Sequence, residues 1–350
     1  MRNRSFLLTL CLGWTLLLGT RGIAIETIPD RLSIRLHAVG NRDYPPVVTA
    51  LAINASGDLL AAAGDDHAVR LLWGEDFSQQ RVIGQHSDWV RSLDFAPDGN
   101  TLLSAGNDGR IQIWRKSDNW KEPRDIGGGP ALACVRFNHN GSRIAAVGFD
   151  PEVFLLQNGP APALKLTCEC RDLRTALFTE SGEVLAVGGR SGELHFFDPA
   201  TGQSLGEVAL HVGRLRDTTL VRGSNLIVSV GEDGRCAIVD AKLRTKLREV
   251  MIPGCKLLSV AAIDSGHVAV GGSDNLIRVI DVTTGEITKK LTGHHGSVAV
   301  LKANSEHLIS GSYDTSIRFW RLSQIQQRET IAGIPGEEPT GTATVLATER

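Results

Sequence analysis

Aromatic residues make up only 5% of the 350-residue chain, which has two tyrosines and two methionines. Neither sign of charge predominates, since 37 Lys and Arg stand against 39 Asp and Glu. A chain so balanced is not built to hold nucleic acid by neutralising phosphates. Beyond the first eighteen residues there is no apolar run near the ~20 residues that a membrane-crossing helix needs. H-E-x-x-H, C-x-x-C and C-x-x-C-H are all missing, as is the G-x-S-x-G elbow of many hydrolases. The expectation is therefore no metal, no cofactor and no enzyme activity. Cysteine is sparse as well: six residues, one of them Cys11 near the N-terminus. The five that follow, an odd number, do not read as a disulfide framework. Cys134, Cys168, Cys170, Cys236 and Cys255 are expected to be small buried strand residues. Cys168 and Cys170, pointing the same way on a strand, could have one of them reach Cys134 on a neighbouring strand.

What is present is 42% hydrophobic residues and 38 glycines, arranged as short apolar runs between turns. That excludes wholesale disorder and favours strands over long helices. The N-terminus differs from the rest. Arg2 and Arg4 precede the apolar run Phe6 to Leu18, and Gly22 and Ala24 sit at small-residue positions. A basic n-region, an apolar h-region and a small-x-small site predict a secretory signal peptide over residues 1–24. Retention of the leader as an anchor is the alternative. Leu8, Thr9 and Leu10 offer no small residue ahead of Cys11, which argues against lipidation. The mature chain is then expected outside the cytoplasm, in a periplasm, in a cell envelope or secreted, with no membrane span.

The remainder repeats itself. Val48 to Trp73, Val90 to Trp114, Ala133 to Leu156, Leu173 to Asp198, Leu215 to Asp240, Leu257 to Asp281 and Val298 to Trp320 align as seven blocks. Their equivalent glycines, Gly64, Gly106, Gly148, Gly189, Gly231, Gly272 and Gly311, recur every 39 to 42 residues. Each block holds three strand patterns divided by turns such as Pro97-Asp98-Gly99 and Asn107-Asp108-Gly109, and a fourth alternating segment lies between blocks. Four antiparallel strands at a period of ~40–45 residues match one propeller blade. The expected fold is all-β: a seven-bladed β-propeller of four-stranded antiparallel blades over residues 31–322. Residues 323–350 carry Pro and Gly without periodicity and are expected to form a flexible tail.

Block seven carries Leu291-Thr-Gly-His294 and then Ser310-Gly-Ser-Tyr-Asp314-Thr-Ser-Ile-Arg-Phe-Trp320. Block two carries His86, Ser104, Asp108 and Trp114. These blocks resemble the WD-repeat (Trp-Asp repeat) family. The resemblance implies that His86, Ser104, Asp108 and Trp114 form a hydrogen-bonded chain inside a blade, and that His294, Ser310, Asp314 and Trp320 form another. Block five keeps His211, Ser229 and Asp233 but has Val239 in place of Trp. Asp66, Asp150 and Asp274 keep only the turn aspartate, and block four has Ser191 there. These recurring sets are structural, because a catalytic triad would be needed once only. The resemblance also implies that the N-terminal segment Leu32 to Val39 closes the last blade as its outer strand. That would remove an open sheet edge.

Members of that family mostly act as rigid interaction platforms, and loops on stiff sheets suit binding without much ordering cost. The residue before the turn aspartate and the start of each inner strand look onto the upper rim. Those positions supply Arg174, Arg190, Arg214, Arg216 and Lys256 in blades four to six, and Trp89, Arg91, Phe149 and Tyr313 in blades two, three and seven. Arg, Trp and Tyr dominate binding hot spots. The expected partner is a protein or peptide with an acidic segment and an apolar or aromatic anchor, bound by a monomeric propeller. The competing expectation is an exported propeller enzyme, lactonase-like or quinoprotein-like, acting on a small molecule at the channel mouth. Asp198-Pro-Ala-Thr-Gly202 and Asp281-Val-Thr-Thr-Gly285 look slightly like the quinoprotein repeat, but Leu205 and Ile287 stand where that repeat has Trp. Asn54-Ala-Ser56 and Asn140-Gly-Ser142 fit glycosylation sequons within hairpin turns.

Overall fold

A computed structural model describes residues 25–29, 32–40, 42–126, 129–157, 163–168 and 171–326. The proposed leader and residues 327–350 lie outside the described residues. Within them the chain forms seven sheets, each built on antiparallel strands consecutive in sequence, and two of them take up a further strand from the N-terminal segment. The innermost strands are Val48–Ile53, Val90–Phe95, Leu132–Phe137, Leu173–Phe178, Leu215–Leu220, Leu257–Ala262 and Val298–Ala303. Each packs beside the next, and the seventh packs against the first, so the ring closes around a central channel. The fold is the seven-bladed propeller that the repeat predicts.

Hydrophobic patterning follows position in the blade. The second strand of blade two, Thr101–Gly106, is buried along its whole length because neighbouring blades cover both of its faces. The outer strand of blade five, Thr245–Met251, is mostly exposed and carries Lys246, Arg248 and Glu249. The recurring glycine has a packing reason. A Cβ on Gly106 would sit 2.2 Å from the Trp89 carbonyl oxygen, and one on Gly148 would sit 2.0 Å from that of Ala131. The second strand therefore passes so close to the loop entering its own blade that no side chain fits.

Closure uses more of the N-terminal segment than the alternation suggests. Leu32–Arg35 pairs antiparallel with Ser316–Arg321, with Leu32 opposite Phe319 and Arg35 opposite Ser316, and completes blade seven. The strand stops at Arg35 rather than running to Val39, because Leu36 turns into the core between blades seven and one. A second strand, Glu26–Pro29, was not foreseen. It pairs parallel with Ile287–Thr292 as a fifth strand on blade six, where Glu26 forms an ion pair with Lys289. At the other end, Leu322–Ile325 form one turn of helix. Ile325, expected to belong to a tail, is buried against blades six and seven. Cys134, Cys236 and Cys255 are buried free thiols, so Cys134 is joined to neither Cys168 nor Cys170. The Asn54 sequon is buried as well: its Oδ1 accepts the Leu59 N–H at 3.1 Å and its amide donates to Asp58 at 2.7 Å.

Candidate functional site

Two kinds of polar structure rigidify the blades around the channel. In blade two, Trp114 Nε1 donates to Ser104 Oγ at 2.9 Å. The Ser104 hydroxyl lies 2.8 Å from His86 Nε2, and His86 Nδ1 lies 3.0 Å from Asp108. The carboxylate only accepts, so Nδ1 carries the proton and Nε2 accepts from the serine. Blade seven repeats the chain with His294 at 2.8 Å from Asp314, Ser310 at 2.7 Å from His294, and Trp320 donating to Ser310 at 3.0 Å. Blade five has the truncated form: His211 lies 3.0 Å from Asp233 and 2.9 Å from Ser229. Burial alone would raise the Asp108 carboxyl, but the His86 bond and the Arg110 and Ser87 N–H groups hold it below the usual carboxylate range. Burial lowers the His211 pKa despite Asp233, which suits a neutral imidazole in the chain.

Blades one and six keep the turn aspartate without the histidine, and arginine takes its place. Arg70 donates to Asp66 Oδ1 at 3.0 Å and is also paired with Oδ2, with both side chains buried. Arg278 makes the matching pair with Asp274, its Nη2 2.5 Å from Oδ2. The sequence signal was an arginine four positions after the turn aspartate, which the reading above passed over.

The rim residues do not all converge. Arg91, Arg174, Arg216 and Tyr313 line one cavity of about 120 Å³ together with Thr49, Ala133, Leu258 and Ala299. All seven inner strands contribute to it, so it is the mouth of the channel. Two of the guanidinium groups are braced by aromatic rings. Arg91 lies 4.7 Å from the centroid of Trp89 and its Nε donates to Asn107 at 2.9 Å. Arg174 lies 4.4 Å from the centroid of Phe149 and is paired with Asp172. Phe149 and Tyr313 are exposed. Arg214 lies outside that lining, held by Asp172 at 2.8 Å and Glu232 at 3.1 Å. Arg216 meets Glu232 at 3.4 Å, and Lys256 approaches it at 3.9 Å. Arg190 is exposed and apart from the cavity. The basic group of blades four to six is thus partly neutralised by Asp172 and Glu232, and of its members Arg174 and Arg216 reach the mouth, where Arg91 of blade two joins them. Burial lowers the pKa of Arg91 and of Arg174, and the neighbouring Arg216 charge pushes each the same way. The N-terminal loop adds a pair that sequence reasoning missed: Arg42 lies 5.6 Å from the ring centroid of exposed Tyr44 and 3.2 Å from Asp65.

Deeper in the channel is a second charged layer, also missed. Arg136, Asp217 and Lys302 line the same cavity, and Asp94 sits against them. Asp94 accepts the Phe137 N–H at 2.7 Å and Asp217 accepts that of Val260 at 3.1 Å. Arg136 donates to Ser92 at 2.9 Å. Burial pushes both carboxyls above their usual range, more than Arg136 and Lys302 bring them down. Burial, with the Arg136 charge, lowers the Lys302 ammonium. The detectable signal was Arg136 and Lys302, each a single charge on an otherwise apolar inner strand.

Among the described residues, Glu193, His195 and Glu207 of blade four form one group within metal-ligating reach. Glu207 sits 3.0 Å from His195 Nδ1 and Glu193 sits 3.6 Å from Nε2. The two carboxylates thus flank opposite nitrogens of one ring.

The model of the WD domain, G-beta repeat, matches residues 37–71, 77–115 and 285–321. The nuclear distribution protein PAC1 of Arthroderma benhamiae is 24% identical over 328 residues, which is 86% of this chain and 62% of that protein. Eukaryotic translation initiation factor 3 subunit I of Oryctolagus cuniculus is 22% identical over 68% of this chain and 74% of its own length. Apoptotic protease-activating factor 1 of Danio rerio is 22% identical over 72% of this chain but only 20% of its own. This chain thus spans less than two thirds of the length of PAC1 and of the apoptotic factor. No helix among the described residues is long and apolar enough to cross a membrane.

Proposed function

Since the chain belongs to the WD-repeat propeller family, we propose that it is a non-catalytic interaction scaffold, exported from the cytoplasm, that binds a protein or peptide on its upper rim. Propellers of this family bind protein partners, and the relatives above support that general role. The observation that carries the choice of surface is the channel mouth, where Arg91 on Trp89 and Arg174 on Phe149 stand beside Arg216 and exposed Tyr313. Guanidinium groups held by rings lose little freedom when a partner arrives, so less of the interaction energy is spent on ordering. A partner with an acidic stretch meets the arginines, and an apolar or aromatic anchor meets Phe149 or Tyr313. Export rests on the leader pattern over residues 1–24.

Affinity capture with residues 25–350 as bait, against extracts of the source organism, tests this reading. A reproducible partner lost when Arg91, Arg174 and Arg216 are changed together, but kept by Arg190→Ala, is the expected result. Clean beads at several salt concentrations overturn it. Terminal sequencing of the chain recovered outside the cytoplasm tests export, with a start near Ile25 expected.

The channel layer of Asp94, Arg136, Asp217 and Lys302 favours a second reading, an exported enzyme acting at the mouth, since perturbed titratable groups beside a cavity mark such sites. Both carboxylates are engaged by backbone N–H groups, which places the scaffold reading first. Screening small metabolites for a shift in melting temperature separates the two.

A further inference from the structure

We propose that the channel mouth is a socket for a single carboxylate, the side chain of one Asp or Glu of the partner, gripped by Arg91, Arg174 and Arg216. The inference rests on the scaffold reading and makes its acidic contact specific. Five of the residues lining the cavity are cationic, Arg91, Arg136, Arg174, Arg216 and Lys302, against one carboxylate, Asp217. The Nε groups of Arg174 and Arg216 are buried and bond to no protein group. A buried donor without an acceptor costs free energy, and a carboxylate that draws either guanidinium group toward the cavity removes that cost.

Size and charge select the ligand. A cavity of about 120 Å³ holds a handful of waters, or the end of one acidic side chain, and not a folded segment. The outer edges of Arg174 and Arg216 already meet Asp172 and Glu232, and Asp217 stands on the floor. One negative charge can therefore enter among the guanidinium groups, whereas the second charge of a phosphate would be driven against Asp217. Stacking fixes Arg91 and Arg174 in place before the ligand arrives. Around this socket, Phe149 and Tyr313 remain exposed for the residues flanking the acid.

The test is titration of the folded protein, residues 25–350, with an end-blocked glutamate-containing peptide, its glutamine counterpart and inorganic phosphate, read by calorimetry and by the arginine Nε–H resonances. The glutamate peptide is expected to shift the Arg174 and Arg216 signals and to bind more tightly than the other two probes. Arg216→Gln should weaken it roughly tenfold or more, the loss of one charge-assisted hydrogen bond, while Arg216→Lys restores part of the loss and Arg190→Gln changes nothing. Equal binding of the glutamine peptide, tighter binding of phosphate, or an unshifted Arg174 and Arg216 pair overturns the socket. Should a captured partner survive the triple change at Arg91, Arg174 and Arg216, the socket falls and the scaffold stands. If the wild-type chain captures nothing, the scaffold reading itself has failed.

Discussion

In blades two and seven a carboxylate, an imidazole, a hydroxyl and an indole close on one another, each donor meeting an acceptor between 2.7 and 3.0 Å. In the channel, Asp94, Arg136, Asp217 and Lys302 share a confined space with less complete pairing, and Lys302 is lowered by burial. The two groups respond to acid in opposite senses. Asp108, Asp233 and Asp314 are held below the ordinary carboxylate value by their partners against the pull of burial. Their stabilisation is complete above pH ~4 and is lost as pH falls through the lowered values. Asp94 and Asp217 are raised by burial. Their favourable contribution is complete below pH ~4 and is lost as pH rises through the raised values. A satisfied chain stiffens a blade, whereas a partly satisfied one keeps charge available at a cavity. In this molecule the second kind lies beneath the arginine trio, where a partner would reach it.

Changing the channel layer should give the largest effect. Arg136→Met leaves two buried carboxylates facing Lys302 alone and is expected to cost about 3–5 kcal/mol at pH 7. The same variant compared with wild type at pH 4 should show a smaller deficit, because the carboxyls take up protons there; urea unfolding at both pH values measures it. A deficit that grows toward acid would refute the assignment of raised carboxyl pKa values.

Breaking a blade chain comes next. Ser104→Ala leaves His86 Nε2 and Trp114 Nε1 without their shared partner, at a cost of about 2–3 kcal/mol, with its deficit present at pH 7. A smaller effect is expected from Gly84→Ala, where the new methyl would sit 2.3 Å from the Trp114 ring. Overpacking of that kind costs about 1–3 kcal/mol and should appear as a lowered melting temperature. Last, Arg190→Ala should leave the melting temperature unchanged, since its exposed side chain stands outside the mouth cavity; a clear drop would show that the rim of blade four is more tightly coupled than its geometry indicates.

The blade chains were legible because Ser, Asp and Trp keep one spacing inside the repeat and the histidine precedes them in the same order. His86, Ser104, Asp108 and Trp114 recur in the same order as His294, Ser310, Asp314 and Trp320. The Arg70–Asp66 and Arg278–Asp274 pairs were not read, although their spacing of four is visible, because they replace the repeat's pattern rather than repeat it. Of the rim residues, position alone could not separate Arg216, which enters the cavity, from Arg190, which does not. Arg42 and Tyr44 lie before the first block and so outside any periodic argument.

The sequence by itself determined the seven blades and their antiparallel order, because period, turn chemistry and alternating burial are local properties that repeat along the chain, while closure of blade seven by the segment from Leu32 was implied by the family resemblance and ends at Arg35. Only the tertiary structure decided which charges meet. The mouth cavity joins side chains from seven strands far apart in sequence, and the parallel strand Glu26–Pro29 finds its partner more than two hundred and fifty residues away. Coulomb interaction and burial depend on distance in space, and ring closure alone brings Arg91, Arg174 and Arg216 within reach of one another.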